Sequence, residues 1–197
     1  MSRWLRVRWT LTPKFPPRPW RRCRGCGGQQ PFVTSDKFRL NANGKRLDAW
    51  LVYRCTSCNG TWNRTILERK LVTELDPVLL AGLEANDLTL ARRVSFDLAS
   101  LRRMAERVDE AGDVDVSEYL LADEPAMRSA LEIHLVAPFP VAARLDRLLA
   151  DQLGLSRSQI VAMADAGRLM PVQALRKRVR DGTVVRIELV LGSDRRG

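Results

Sequence analysis

The stretch "RCRGCGG" at residues 22–28 places two cysteines three positions apart, and "RCTSCNG" at residues 54–60 repeats that spacing. Two C-x2-C pairs separated by 28 residues are typical of a four-cysteine zinc site. Zn²⁺ binds four thiolates as a tetrahedron, and each short turn supplies two of them. We therefore predict one structural Zn²⁺ held by the four cysteines of the chain: Cys23, Cys26, Cys55 and Cys58.

The residues around each pair favour a metal site. Gly27 and Asn59 follow the second cysteine of each pair, and both residue types tolerate the positive φ that turns backbone N–H groups toward the sulfurs. Arg22, Arg24 and Arg54 flank the ligands and offset the net negative charge of a tetrathiolate site. A disulfide or a redox C-x2-C motif is the alternative, but a redox motif usually occurs singly beside a βαβ unit.

Between the pairs the sequence predicts a β-hairpin. "KFRLNANGKRLDAWLVYRC" (37–55) alternates apolar and polar residues around Asn43-Gly44, a two-residue turn signal. That loop sets three pairs opposite each other: Phe38 with Ala49, Leu40 with Leu47, and Arg39 with Asp48. "GTWNRTIL" (60–67) predicts a third strand. Residues 1–70 are therefore interpreted as a β zinc ribbon, entered through a half-buried strand near "RWLRVRWTL" (3–11).

The distribution of charge divides the chain into three sections. Residues 1–70 carry 16 Lys and Arg against 3 Asp and Glu, residues 71–139 carry 6 against 14, and residues 140–197 carry 11 against 6. The net charge of +10 favours a polyanionic partner. We expect an α+β protein with a zinc ribbon (1–70), an acidic, mainly helical middle (71–139) and a small basic α/β domain (140–197).

In the middle section, Asp76 before Pro77 predicts a helix start, and Asn86 or Asp87 predicts a second helix whose apolar face runs to Leu101. Residues 114–121 and 131–138 read as strands. The sole histidine, His134, alternates with apolar neighbours, which favours a strand residue over a ligand. With no G-x-S-x-G and no phosphate-binding glycine loop in the chain, we expect that it is not an enzyme.

The C-terminal section predicts two short helices and a strand. Leu145, Leu148 and Leu149 form one apolar helix face that ends before Gly154. Ser156 and Gln159 then form a capping box for a second helix, for which Gly167 provides the C-terminal residue. Asp181-Gly182 predicts a hairpin turn into a strand at "TVVRIELVL" (183–191).

Residues 143–189 resemble the S-four domain, an RNA-binding fold, in "RLDRLLA", "SRSQI", "AGRL" and "VRDGTVVRI". The resemblance implies RNA contacts from Arg144 and Arg147 on the first helix, Arg157 at the start of the second and Arg168 after it. Between Gly167 and the Asp181-Gly182 turn, the family usually has a longer hairpin with an Asn-Gly turn. Either Arg176, Lys177 and Arg178 replace its contacts, or RNA binding has been lost while the fold is kept.

The first 70 residues, or the whole chain, also resemble a family of uncharacterised bacterial zinc-ribbon proteins, through "RCRGCG", "FRLNANGKRLDAWLVYRCTSC" and "TWN". This resemblance implies a metal site but no known activity. Together the motifs favour a non-catalytic, zinc-containing RNA-binding protein, acting on ribosomal RNA or tRNA in translation or its regulation. The alternatives are a protein–protein adaptor that docks through the ribbon and a zinc-ribbon DNA-binding regulator.

The sequence indicates no membrane segment. The chain has no apolar run near the roughly 20 residues that span a bilayer. Its start lacks the apolar core and cleavage site of a secretory signal. We therefore expect a cytoplasmic protein that binds RNA and no membrane, with a protein partner as the alternative.

Overall fold

The computed structural model describes residues 4–122 and 130–188, with the side chain of Trp4 excepted. Its contacts divide the chain into two compact units. One, here called the two-segment unit, combines Met1–Lys14 with Ala111–Gly197, and the other, the cysteine unit, is Phe15–Glu110. The boundaries of these units differ from those of the three sections expected from charge, because the first strand belongs to the same unit as the C-terminal part of the chain.

The described residues form ten strands and five α-helices. The strands are β1 (Trp4–Pro13), β2 (Arg18–Arg22), β3 (Gln29–Asn43), β4 (Arg46–Cys55), β5 (Thr61–Leu71), β6 (Arg107–Asp109), β7 (Val114–Ala122), β8 (Ala130–Val136), β9 (Leu169–Met170) and β10 (Val184–Glu188). The helices are α1 (Pro77–Glu84), α2 (Leu88–Ser95), α3 (Leu98–Met104), α4 (Leu145–Leu153) and α5 (Arg157–Asp165). Short 3-10 turns lie at Val72–Glu74 and Val172–Ala174. None of these helices is long and apolar enough to cross a membrane.

The two-segment unit is built on a five-stranded sheet in the order β7-β1-β8-β10-β9. The alternation in β1 is confirmed, since Val7, Trp9 and Leu11 are buried in the core. Because it carries an apolar residue at every second position, β1 fits inside the sheet, antiparallel to β7 and parallel to β8. The strands predicted at 114–121 and 131–138 are confirmed as β7 and β8.

Helices α4 and α5 pack on one face of this sheet. Leu145, Leu149 and Ile160 are buried there, in the same core cluster as the inward residues of β1. The predicted ends of the helices are confirmed: Gly154 ends α4 in the left-handed region, and both bonds of the capping box that begins α5 at Ser156 are present. Apolar spacing and cap chemistry are local, which is why the sequence located both helices.

The hairpin predicted at Asp181-Gly182 is wrong. Gly182 has a φ of 73° and makes the expected turn, but the residues directly before it form no strand, and β10 pairs instead with β8 and with β9, which ends at Met170. Residues 189–191 of the predicted strand lie outside the described residues. The preceding segment contains a 3-10 turn and makes only an isolated bridge, between Arg178 and Arg144. A partner strand from elsewhere in the chain therefore takes the place of the local one.

The cysteine unit contains a second five-stranded sheet, in the order β5-β4-β3-β2-β6. The hairpin β3–β4 is confirmed, but its register differs by two residues from the prediction. Asn43 pairs with Arg46, so the loop is Gly44-Lys45. Gly44 takes a φ of 59° at the first loop position, as in a type II′ turn. The pairs are Phe38 with Leu51, Leu40 with Ala49, and Arg39 with Trp50.

A shift of two residues leaves each side chain of the hairpin on its predicted face. Phe38 and Leu51 remain on the buried face. In the observed register Arg39 lies opposite Trp50 and not opposite Asp48. The Arg39 guanidinium is 5.9 Å from the centre of the Trp50 ring. The third predicted strand is confirmed as β5.

Aspartate caps begin all three helices of the cysteine unit. Asp76 accepts from Val78 N–H at α1 and Asp87 accepts from Leu90 N–H at α2, as the sequence indicated. The single helix expected to continue to Leu101 is wrong, because the Asp97 side chain accepts from the N–H of Ser100 and begins the separate helix α3. An internal cap of this kind interrupts a helix although the apolar spacing continues.

Arg64 on β5 is the main polar group inside the cysteine unit, and its side chain is only 1% exposed. Its Nη1 donates to the Val94 carbonyl (2.8 Å), and its Nη2 lies 3.5 Å from an Asp97 carboxylate oxygen. This arginine therefore joins the sheet to the break between α2 and α3. Nothing in the alternation of β5 distinguishes it from an exposed strand residue.

Candidate metal centre and basic surface

The four cysteines converge at one end of the cysteine unit. All four are free thiols, and their Sγ atoms lie within 4.8 Å of one another. The Sγ atoms of Cys23 and Cys58 are 3.4 Å apart, and those of Cys26 and Cys55 are 3.8 Å apart. A tetrahedral site with metal–sulfur bonds of about 2.3 Å has sulfur–sulfur edges of about 3.8 Å. The cluster therefore has the dimensions to hold a metal ion.

Two turns of matching geometry position the sulfurs. In the first, Cys23 N–H donates to the Gly28 carbonyl (2.8 Å) and Gly27 N–H donates to the Cys23 carbonyl (2.9 Å). The second turn repeats these bonds at the equivalent positions: Cys55 to Gly60 (2.8 Å) and Asn59 to Cys55 (3.0 Å). Each C-x2-C pair thus folds as its own local unit, and the strands of the sheet bring the two together.

Small residues allow the backbone to approach the sulfurs. Gly27 (φ 74°) and Asn59 (φ 58°) adopt the left-handed conformation that was expected at both positions. Gly25 and Gly60 have a different role, because a Cβ atom on either would lie 3.2 Å from the Cys58 Sγ. The glycines in these turns therefore serve both the backbone conformation and the space around a ligand.

The thiols perturb one another's ionisation. Hydrogen bonding to Cys58, together with burial, raises the pKa of Cys26 to about 12. Burial also opposes ionisation of Cys55, but the backbone N–H groups of Cys58 and Ser57 outweigh it and lower the pKa of the Cys55 thiol to about 7. A metal ion bound at this cluster would supply the positive charge that four thiolates require.

An aromatic and basic groove adjoins the cysteine cluster. Trp62 packs against Phe32 and Tyr53, with ring centres 6.2 and 5.0 Å away, so it belongs to the core of the unit. The Arg21 guanidinium lies 4.4 Å from the centre of the Trp62 ring and donates to the Met104 carbonyl. Arg21, Phe32 and Trp62 border a groove of about 450 Å³ that also contacts the first cysteine turn.

A second group of side chains converges on Asp146, whose side chain is 2% exposed. Arg144 forms a two-point ion pair with it (Nε–Oδ1 3.1 Å, Nη2–Oδ2 2.7 Å), and Arg157 Nη2 lies 2.9 Å from Oδ2. The backbone N–H of Arg147 donates to Oδ1 (2.9 Å). Burial opposes ionisation, but the bonds from Arg144 and Arg157 outweigh it and lower the pKa of Asp146.

The segment that contains Arg176, Lys177 and Arg178 folds against the start of α4. Leu145 N–H donates to the Lys177 carbonyl (3.1 Å), and Arg178 forms a β-bridge with Arg144. The side chains of all three basic residues are exposed. The structure therefore places this run beside the Asp146-bound arginines, and we call this set of five basic residues the α4 surface: Arg144, Arg157, Arg176, Lys177 and Arg178.

The two other residues implied by the S-four resemblance lie elsewhere. The Arg147 guanidinium pairs with Asp113 (3.2 Å) and Asp151 (3.7 Å), so its charge is already balanced by two carboxylates. Arg168 follows α5, at the opposite end of a helix about 13 Å long from Arg157. The placement of Arg144 also needs correction, since it caps α4 from outside the helix.

Asp146 was not among the site residues predicted from the sequence. Its position nevertheless indicates a contact with Arg144, because it lies in the first turn of a predicted helix, two residues after that arginine. Its contact with Arg157 depends on how α5 packs against α4, which the local sequence does not encode. Asp146 is thus the residue that organises the α4 surface.

The chain was compared with known families, curated proteins and solved structures. No curated protein and no solved structure matches it. The model of one family, described as "Protein of unknown function (DUF1062)", matches residues 40–174, more than half of the chain. The match includes the second cysteine pair and helices α4 and α5. The chain therefore belongs to the DUF1062 family.

Proposed function

We propose that this protein is a non-catalytic RNA-binding protein whose cysteine unit is held together by one structural Zn²⁺. The observation that carries the RNA-binding proposal is the α4 surface. Two arginines are fixed on a buried carboxylate, and three further basic side chains from a distant segment lie beside them. Guanidinium groups held in this way keep N–H donors directed outward for phosphate oxygens.

Zinc is the metal that best fits the cysteine cluster. Thiolates are soft ligands, and four of them in a closed tetrahedron are typical of structural zinc sites, whereas catalytic sites keep a position open for water. Elemental analysis of the purified protein checks this directly. We expect one equivalent of zinc per chain; less than half an equivalent together with intact disulfides would refute the zinc assignment.

The proposal that RNA is the ligand is also supported by the resemblance of residues 143–189 to the S-four domain. The two helices implied by that resemblance are α4 and α5, and Arg157 begins α5, where backbone N–H groups also favour an anion. Phosphate contacts of this kind position a protein on structured RNA by shape. The non-catalytic assignment follows from the sole histidine, which lies in β8 and contacts Glu132, and from thiols assigned to metal.

Affinity for a structured RNA hairpin, measured at several salt concentrations, tests the proposal. Replacing both Arg144 and Arg157 with Ala removes two phosphate contacts, so the slope of log affinity against log salt is expected to fall by about 1.4–1.8. Arg147→Ala is the control, since it removes one positive charge of the same helix that two carboxylates already balance. We expect it to leave the slope unchanged.

A second variant protects the test against misfolding. Changing Arg176, Lys177 and Arg178 to Gln leaves Asp146 paired and is expected to lower the slope as well. Slopes that remain unchanged in both variants would overturn the RNA proposal and favour the protein–protein adaptor. Equal affinity for DNA of the same sequence would favour the DNA-binding regulator instead.

A further inference from the structure

The sheet of the two-segment unit has an outer face opposite to the one that packs against α4 and α5. Arg6, Glu132 and Arg186 form a row across three adjacent strands on this face. Glu132 Oε1 lies 3.4 Å from Arg6 Nε, and Glu132 Oε2 lies 2.8 Å from Arg186 Nε. The Glu132 side chain is 10% exposed, whereas both arginine side chains are more than half exposed. A nearly buried carboxylate thus fixes two exposed guanidinium groups.

The neighbouring row supplies aromatic side chains. Tyr119, Arg8 and His134 occupy adjacent positions on β7, β1 and β8. The Tyr119 side chain is 65% exposed, and the Arg8 guanidinium lies 5.8 Å from the centre of its ring. His134 Nε2 lies 2.9 Å from a Glu132 oxygen, which joins the two rows. We call these two rows, Arg6, Glu132 and Arg186 with Tyr119, Arg8 and His134, the outer sheet face.

The composition of the outer sheet face indicates the chemistry of its ligand. The two rows contain three arginines and one carboxylate, and Glu188, two residues after Arg186, adds a second carboxylate on the same face of β10. One positive charge remains in excess before His134 is considered. An ion-pair network that served only to stabilise the sheet would need neither an exposed Tyr119 nor an Arg8 beside it. Exposed aromatic rings among cations are what single-stranded nucleic acids require, because bases stack on the rings and phosphates pair with the cations.

We propose that the outer sheet face binds single-stranded RNA, with a base stacked on Tyr119 and phosphates contacted by Arg6, Arg8 and Arg186. Glu132 is a positioning residue that orients the arginines. This inference deepens the proposed RNA-binding function and rests on it. It assigns the substrate class as a structured RNA that carries a single-stranded segment, with the structured part on the α4 surface.

The connection between the two surfaces is short. The basic run that ends at Arg178 is followed within a few residues by β10, which carries Arg186. β10 pairs with β9, the edge strand of this sheet, so the basic run and Arg186 are joined through the same part of the two-segment unit.

Binding of the full-length, zinc-loaded chain to two RNA probes tests the inference. The first probe is an unstructured oligouridylate of twelve nucleotides, and the second is a blunt-ended hairpin. Tyr119→Ala removes the stacking ring, and it is expected to weaken oligouridylate binding about five- to 150-fold. Tyr119→Phe keeps the ring and serves as the matched control, with affinity expected within about twofold of the wild type. Neither change should alter hairpin affinity.

Each outcome separates this inference from the proposed function. If Tyr119→Ala binds oligouridylate as well as the wild type does, or if Tyr119→Phe loses as much affinity as Tyr119→Ala, the outer sheet face is not a stacking surface and the inference fails. Hairpin binding that still depends on Arg144 and Arg157 would then leave the proposed function intact. The converse result is oligouridylate binding that depends on Tyr119 together with hairpin binding that is independent of Arg144 and Arg157. That result would overturn only the proposal that the α4 surface binds RNA. Unchanged melting of the Tyr119 variants checks the fold.

Discussion

Replacing Asp146 with Asn tests whether this carboxylate organises the α4 surface. The side chain receives two hydrogen bonds from Arg144, one from Arg157 and one from the backbone of Arg147. Asn has nearly the same shape but carries no charge, and its amide group turns N–H donors toward guanidinium donors. The change therefore removes the ion pairs and leaves the packing of α4 almost as it is.

The loss of stability expected for Asp146→Asn is smaller than the loss on breaking a fully buried ion pair. Breaking a buried ion pair costs about 3–5 kcal/mol because the remaining charge has no partner. Here the Arg144 and Arg157 side chains are 44% and 56% exposed, so water can solvate them after the change. We therefore expect a loss of about 1.5–3 kcal/mol, and for a unit of this size each kcal/mol lowers the melting temperature by roughly 4–8 °C.

The pH dependence gives a second signature. The folded state lowers the pKa of Asp146, so its ionised form stabilises the protein above the unfolded pKa of about 3.9. That contribution is lost as the pH falls through the lower pKa of the folded state. The wild type should therefore exceed the Asn variant in stability at pH 7, and the two should converge in strong acid.

Hydrogen exchange measured by mass spectrometry on peptides from α4 and α5 reports the stability of this unit separately. Asp151→Asn is the matched control, because Asp151 is exposed and pairs with Arg147 on the same helix at 3.7 Å. Its loss should cost no more than about 0.5 kcal/mol. Equal protection in the two variants, or a difference that persists unchanged into strong acid, would refute the reasoning.

Three further changes test the cysteine unit and the hydrophobic core of the two-segment unit. Gly25→Ala places a Cβ 3.2 Å from the Cys58 Sγ, so the zinc affinity, measured by competition with a chelator, should fall. Gly28→Ala is the control, because its Cβ would meet open space, and it should leave the zinc affinity unchanged. Arg64→Ala leaves a cavity and removes the hydrogen bond to the Val94 carbonyl, and urea titration should show a loss of about 2–4 kcal/mol; a loss below about 0.5 kcal/mol would contradict its structural role. Leu149→Ala, at a fully buried site, should cost about 2–5 kcal/mol in thermal unfolding, and a neutral result would contradict the packing of α4.

Features that depend on short contiguous segments were predictable. The two cysteine turns, the caps at Asp76 and Ser156 and the alternation of β1 are all present in the structure. The hairpin β3–β4 was located, but its register was wrong by two residues because the glycine, and not the asparagine, begins the loop. The helix break at Asp97 was missed, since periodicity does not reveal a cap within an apolar pattern.

Long-range pairing was beyond the reach of sequence patterns. The parallel pairing of β1 with β8 joins residues more than 120 positions apart, and it moves the first strand into a unit different from that of the cysteines. The choice of β8 as a partner of β10, in place of the residues directly before the turn, has the same origin. Alternation shows that a strand has one buried face, but it does not name the neighbour that the strand pairs with.

By itself, the sequence determined the four cysteines whose arrangement fits a metal ion, because C-x2-C spacing places two thiols together in each local turn. It also determined the α4 and α5 helices and the basic character of the chain. Only the tertiary structure decided which charges act together: Asp146 gathers Arg144 and Arg157, and Glu132 gathers Arg6 and Arg186. The physical reason is that a buried carboxylate must find cations in space, and the packing of distant segments alone determines which ones reach it.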